Sequence, residues 1–194
     1  MGDWAIPILA IQILAIDLLA EVMPLTFLTY DPPSTEIMRE KPRSLDDHIM
    51  NKGSSLEVLF LGSLIGALSF GNFAFTGIRE GVTFLQDVSL QNPLYMRAMT
   101  MAYLTIAFCQ YVNILSRRFY YTSVFSRNFF TNRILLWSIA GSILLTLTVI
   151  YTGFGGVLSF AGPTWTDWLC IAGSSGIYLL AFELLKAGRR RRLK

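Results

Sequence analysis

Two carboxylates stand in the middle of an apolar run. The stretch Ile11 to Pro33 reads IQILAIDLLAEVMPLTFLTYDPP, with Asp17 and Glu21 four residues apart and Pro24 three residues further on. On a helix, residues at that spacing share a face. A proline inside a helix has no N–H for the preceding turn and leaves carbonyl oxygens without a donor. An ionisable side chain within a membrane span is costly and marks a functional site. Carboxylates beside freed carbonyls make a set of hard oxygen ligands, the kind that holds a metal cation. Asp17 and Glu21 are therefore the candidate cation ligands and Pro24 the candidate helix break. The competing reading is a protonated pair, or a structural hydrogen bond to a neighbouring helix. Gln12 lies too near one end of its run to join the two acids, and Asn113 too near the end of another.

The remaining reactive side chains offer less. Cys109 and Cys170 lie in apolar runs and read as small core residues, with no disulfide or metal framework. His48 stands alone in a polar segment, without the neighbours a metal site needs. Glu57 opens an apolar run and reads as solvated or as a helix-start acid, where negative charge is favoured. Glu183 and Lys186, three apart near the end of the last run, read as a boundary ion pair.

The elements that position these residues follow from hydropathy. Of 194 residues, 53% are hydrophobic and 15% charged, and mean hydropathy is +0.50. That is too apolar for an ordinary soluble domain and ordinary for a multipass membrane protein. Apolar runs at about 4–30, 56–78, 94–115, 134–151 and 167–185 reach the ~20 residues that cross a bilayer. The first exceeds it, which suits a tilted or broken helix. In lipid the backbone must satisfy itself, so the fold class is all-α: one transmembrane bundle of about five helices over 1–194. No segment between the runs is long enough for a catalytic fold, and no internal repeat is visible. The first run lacks a basic leader and a small-residue cleavage site, so no cleavable signal is expected. In the second run Gly62 and Gly66, with Ser63, Ala67 and Gly71 one residue offset, place small residues every four positions, the pattern of closely packed helices.

Charge gives an orientation. All of the 16 Lys and Arg except Arg79 and Arg97 fall in 31–55, 116–133 and 186–194. The positive-inside rule puts those segments in the cytoplasm, with the N-terminus outside and the C-terminus inside. Clustering between spans is a topology signal and no nucleic-acid footprint. The tail, with six basic residues, can also attract anionic lipid.

The same stretches resemble a family. Asp17, Glu21 and Pro24 fit the acid–acid–proline spacing of the sixth transmembrane helix of the P-type cation-transporting ATPases, in the branch of the calcium and sodium pumps. The runs Gln12–Asp17 (QILAID) and Asp31–Arg43 (DPPSTEIMREKPR) resemble bacterial members. The SRR…SVF…NR pattern over Ser116–Arg133 is similar to the loop between the eighth and ninth helices, and FELLKAGRRRR to the end of the tenth. The resemblance covers nearly the whole chain as the sixth to tenth helices. Between the acids stand Leu19 and Ala20, where the family usually carries residues that help to unwind the helix and supply a ligand.

The resemblance implies a C-terminal pump module that contributes part of a cation site, in the plasma membrane, beside an N-terminal half that supplies the other helices. It places Ala107 where the family's eighth helix has a ligand, with Gln110 a turn away as a possible substitute. It sets the glycine-rich face of the second span against the family's fifth helix. The phosphorylation motif DKTG and the motif TGES are absent from the sequence. ATP and Mg2+ are thus expected to belong to an N-terminal part, and this chain alone is not expected to couple ATP hydrolysis to transport. The alternatives are an accessory or remnant bundle that binds a partner membrane protein, and a small autonomous channel or carrier. The missing inverted repeat weighs against most carriers. The transported cation is not specified by the sequence.

Overall fold

The computed structural model describes residues 5–31, 52–81, 90, 92–119, 123–125, 127–152 and 154–192, with the backbone alone at 52, 127, 128, 191 and 192. His48 and most of the basic segment 31–55 lie outside these residues. The described chain is helical: α1 (Ala10–Ala15), a π-helical segment (Ile16–Glu21), α2 (Val22–Leu28), α3 (Lys52–Arg79), α4 (Pro93–Arg117), a 3-10 turn (Arg127–Thr131), α5 (Arg133–Tyr151), the short α6 (Phe154–Val157) and α7 (Trp165–Arg192). Five of its stretches are long and apolar enough to cross a membrane: Ala10–Leu28, Gly53–Arg79, Pro93–Arg117, Arg133–Tyr151 and Trp165–Arg190. This is the all-α bundle of five spans that hydropathy predicts.

Polar residues set where the spans begin. Asn92 caps α4 by accepting from the Leu94 N–H at 3.0 Å, with Pro93 in the first turn, where its missing N–H costs nothing. Asn132 caps α5 through Leu135 N–H at 2.9 Å and donates its amide to Phe27 O at 3.2 Å, so one side chain starts a helix and pins the end of the first span. Before α7, Asp167 accepts from the Thr164 N–H at 2.8 Å and from its hydroxyl at 3.0 Å, the acid's half of a capping box.

The centre of the bundle is α4. It is buried on every side from Ala98 to Thr105, as expected of a helix ringed by others. Helices α3 and α7 pack against it and against each other, while the first span packs between α4 and α5. Asn72 fastens three helices at once, donating to Thr105 Oγ1 at 2.8 Å and to Ser174 Oγ at 3.0 Å. The connection from α5 to α7 folds back on the core. Phe160 stacks on Tyr103 with ring centroids 4.5 Å apart, and Ser159 takes a left-handed φ of 55°. Its carbonyl and that of Leu158 accept from Gln12 Nε2 at 3.4 and 3.1 Å. Gln12 is wholly buried, and its amide is spent on structure.

Charges gather at the two ends. At one, Arg118 holds Asp31 through both carboxylate oxygens at 2.9–3.2 Å, joining the end of the first span to the end of α4. At the same end Lys186 lies 3.7 Å from Glu183, the pair expected from spacing. Glu57 departs from expectation. The helix starts at Lys52, so Glu57 sits in its second turn and pairs with Arg189 and, at 3.8 Å, with Arg117. At the opposite end are Arg79, Arg97, Glu80 and Asp167.

Candidate functional site

The first span is not one continuous α-helix. Over Ile16–Glu21 its hydrogen-bonded rings close five residues back, as in Val22 N–H to Asp17 O. Such wide turns are rare and recur at functional sites. Their cause here is downstream. Pro24 has no N–H, so the ring that would return to Ala20 is not made, and Glu21 relaxes to φ −104° as the chain passes from wide turns into α2. The break expected at Pro24 therefore lies in the turn before it. Pro24 itself is buried in the first turn of α2, where a missing N–H is tolerated. The widening forms with Leu19 and Ala20 between the acids, without the residues the family usually carries there.

The π segment buries one side and opens the other. Ala15, Ile16 and Ala20 pack into the core with Tyr103, Leu104 and Ala107 of α4 and Ile139 of α5. Asp17 is exposed and Glu21 half-buried. Among the described residues neither carboxylate has a hydrogen bond or an ion pair, and Glu21 feels the charge of Asp17. Four residues is about one turn whether the ring closes at four or at five, so the two acids stay together. Leu18, Val22 and Leu25 beside them are exposed as well. The first span thus has two flanks held by α4 and α5 and a third face open, and the acids stand on the open side.

Gln110 is not drawn to the pair. It accepts from Asn113 at 3.2 Å, and Asn113 in turn accepts from Arg117 at 3.2 Å, so all three are linked along α4. Ala107 is fully buried and apolar. Gly62 and Gly66 are exposed, and a methyl group added at either would meet nothing within 4 Å. Among the described residues the small-residue face of α3 has no helix against it.

The sequence reading missed Asp167. This carboxylate is fully buried, and Arg79 donates to one oxygen at 2.6 Å and Arg97 to the other at 2.7 Å. It joins α3, α4 and α7. The signal was available: Thr164 and Asp167 are a T-x-x-D pair before an apolar run, the signature of a helix start. Among the described residues no group of three or more His, Cys, Asp or Glu could hold a metal. Asp17 and Glu21 are two carboxylates, and a complete cation shell needs further oxygens from elsewhere.

Comparison with known proteins matches residues 5–188 to the family model described as "Cation transporting ATPase, C-terminus". The calcium-transporting ATPase of Bacillus subtilis strain 168 is 32% identical over 183 residues, covering 93% of this chain and 19% of the relative. Calcium-transporting ATPase 1 of Bacillus cereus is 28% identical over 197 residues, covering 96% and 22%. Calcium-transporting ATPase type 2C member 2 of Mus musculus is 29% identical over 181 residues, covering 93% and 18%. The chain spans about a fifth of the length of these relatives. These matches lend no support to an accessory or remnant bundle.

Proposed function

The chain belongs to the family of cation-transporting ATPase C-terminal regions, and from that premise we propose that Asp17 and Glu21 supply this module's share of the transported-cation site. The protein is an integral membrane protein and the C-terminal membrane module of a P-type cation ATPase. One observation carries the proposal: two carboxylates without partners among the described residues stand on the open face of a widened turn inside an apolar span. An unpaired acid there is costly. A cation held between it and ligands from a neighbouring helix removes that cost. The relatives are named for calcium, and a pair of carboxylates with backbone carbonyls suits that hard cation, so Ca2+ is the cation proposed.

The rest of the pump is proposed around this half-site. The missing ligands come from helices of an N-terminal half docked on the open face. The glycine face of α3, at Gly62 and Gly66, receives another of those helices. ATP and Mg2+ act in the N-terminal half, and Gln110 is a secondary candidate ligand beside the two acids. The N-terminus lies outside and the C-terminus in the cytoplasm, in the plasma membrane. Labelling of Leu45→Cys or Phe125→Cys from the outer side would contradict that orientation.

The deciding experiment joins the chain to the N-terminal half of a pump of this family and titrates Ca2+ against phosphoenzyme formed from ATP. Phosphoenzyme should require both parts, and Asp17→Asn and Glu21→Gln should each move the titration to higher Ca2+. If both variants titrate like the parent, the cation-site assignment is wrong.

A further inference from the structure

We propose that the groove between the start of α3 and the end of α7 binds one anionic phospholipid, with its phosphate on Arg189 and Arg117 and an acyl chain lying between the two helices. The groove encloses about 760 Å3, within the roughly 300–1,000 Å3 of small-molecule sites. Its walls are graded. Leu56, Phe60, Leu184 and Leu185 line it toward the middle of the spans, and Ser54, Glu57 and Arg189 stand at its mouth. Across the Glu57–Arg189 pair lies a smaller chamber of about 190 Å3, which adds Arg117 and Phe119. The chamber and the groove share Ser54, Glu57 and Arg189, so the charged mouth adjoins a trough walled by Leu56, Phe60, Leu184 and Leu185, as a headgroup adjoins its acyl chain.

Charge selects the class of lipid. The ion pairs described at this end bring Arg117, Lys186, Arg189 and Arg190 together with Glu57 and Glu183, and the tail 186–194 holds six basic residues and no acid. The sequence adds Arg191, Arg192 and Lys194. Arg117 and Arg190 are 44% and 45% exposed, so both can turn toward a ligand. A guanidinium offers a phosphate two parallel donors. Basic pockets between membrane helices on the cytoplasmic side take anionic headgroups in this way. Glu57 gives the site a distinctive sign. It sits between Arg189 and Arg117 and competes with the phosphate for the same donors, so neutralising it should strengthen binding while neutralising either arginine weakens it. The site lies away from Asp17 and Glu21, and the inference does not rest on their role.

The test is native mass spectrometry of the purified 194-residue chain titrated with phosphatidylglycerol, phosphatidylcholine or soluble glycerol phosphate. Phosphatidylglycerol should be retained several-fold more tightly than phosphatidylcholine, and glycerol phosphate should not be retained. Arg189→Gln and Arg117→Gln should each weaken phosphatidylglycerol by about fivefold, the worth of one basic residue at a lipid surface, and leave phosphatidylcholine unchanged. Glu57→Gln should tighten it. Because Arg189→Gln also removes a contact between α3 and α7, Ala181→Trp is run beside it. That change fills the groove without altering charge, and it should weaken both lipids. Equal retention of the two lipids would overturn the proposal, as would weaker binding by Glu57→Gln or tight binding of glycerol phosphate. Loss of binding only when Arg191, Arg192 and Lys194 become Gln would assign the effect to the tail instead. A dimer that Ala181→Trp dissociates, with no lipid retained, would make a second copy the occupant and overturn it too.

Discussion

Asp17 and Asp167 carry the same carboxylate in one bundle, and the bundle treats them in opposite ways. Asp167 is sealed from solvent and accepts from two arginines, from the Thr164 N–H and from the Thr164 hydroxyl. Asp17 is exposed, with no hydrogen-bond or ion-pair partner among the described residues. The deeper acid is the structural one. Burial alone does not identify a functional carboxylate. What separates the two is whether the fold has already spent the charge. Asp167 is spent on holding α3, α4 and α7 together. Asp17 is held out on a widened turn, facing a side that the chain itself leaves open.

The largest effect should come from breaking the spent acid. Asp167→Ala leaves Arg79 and Arg97 with Glu80 as their one shared carboxylate among the described residues, 3.0 and 3.2 Å from them. Removing one partner of a buried ionic network costs about 3–5 kcal/mol. The unfolding midpoint in detergent should therefore drop steeply, while Ca2+ affinity in the reconstituted pump stays at the parent value in whatever protein folds. A loss of Ca2+ affinity without a loss of stability would erase the distinction between the two acids.

The converse substitution is next in size. Asp17→Asn keeps the shape and one oxygen ligand and removes the charge that offsets ion dehydration. It should lower apparent Ca2+ affinity by at least about tenfold, or roughly 1.4 kcal/mol, without lowering the unfolding midpoint, because no hydrogen bond or ion pair among the described residues is lost. Thermal unfolding of the isolated chain and the phosphoenzyme titration of the joined pump read the two sides separately. A drop in midpoint with Asp17→Asn would mean that this acid, too, is spent on the fold.

The five spans, the polar breaks between them and the pair Asp17–Glu21 were legible in the sequence because each follows from composition or from spacing along one helix. The Glu183–Lys186 pair was legible for the same reason. What was not legible depends on contacts between distant segments. Glu57 reads as a helix-start acid because its partners, Arg117 and Arg189, are 60 and 132 positions away in the chain. Gln12 reads only as too near the end of its run to join the acids, yet its amide holds the α5–α7 connection. The π segment is a third case: Pro24 signals a disturbed turn, but the side on which the disturbance is taken up depends on how Ala15, Ile16 and Ala20 pack. Sequence therefore shows where acids share a helix face, and it shows poorly which acid is spent, since an acid is spent only through its tertiary partners.

A smaller effect should separate the interior of the bundle from its open face. Asn72 donates to Thr105 and Ser174 and sits where three helices meet. Hydrogen bonds between membrane helices contribute about 0.6 kcal/mol each on average, so Asn72→Ala should lower stability by about 1 kcal/mol. The midpoint of the isolated chain checks it. No change would mean that packing around Asn72, and not its amide, joins α3 to α7.

Gly66→Leu should have the smallest effect on the chain alone and the most telling sign. Nothing lies within 4 Å of a Cβ placed at Gly66, so the larger side chain meets open space and strains no neighbour. Glycine is a poor helix former, by up to about 1 kcal/mol relative to alanine, and leucine is a good one. The isolated chain should therefore keep its stability or gain a few tenths of a kcal/mol. In the joined pump the same leucine stands where a second helix has to come close, and a small-residue face gains van der Waals contact only when a helix fills it. Co-purification of the chain with the N-terminal half should fall. The two readouts move in opposite directions because the glycine, like Asp17, is costly within the chain and useful only at its open side. Unchanged co-purification would remove α3 from the docking surface and leave the first span to form it alone.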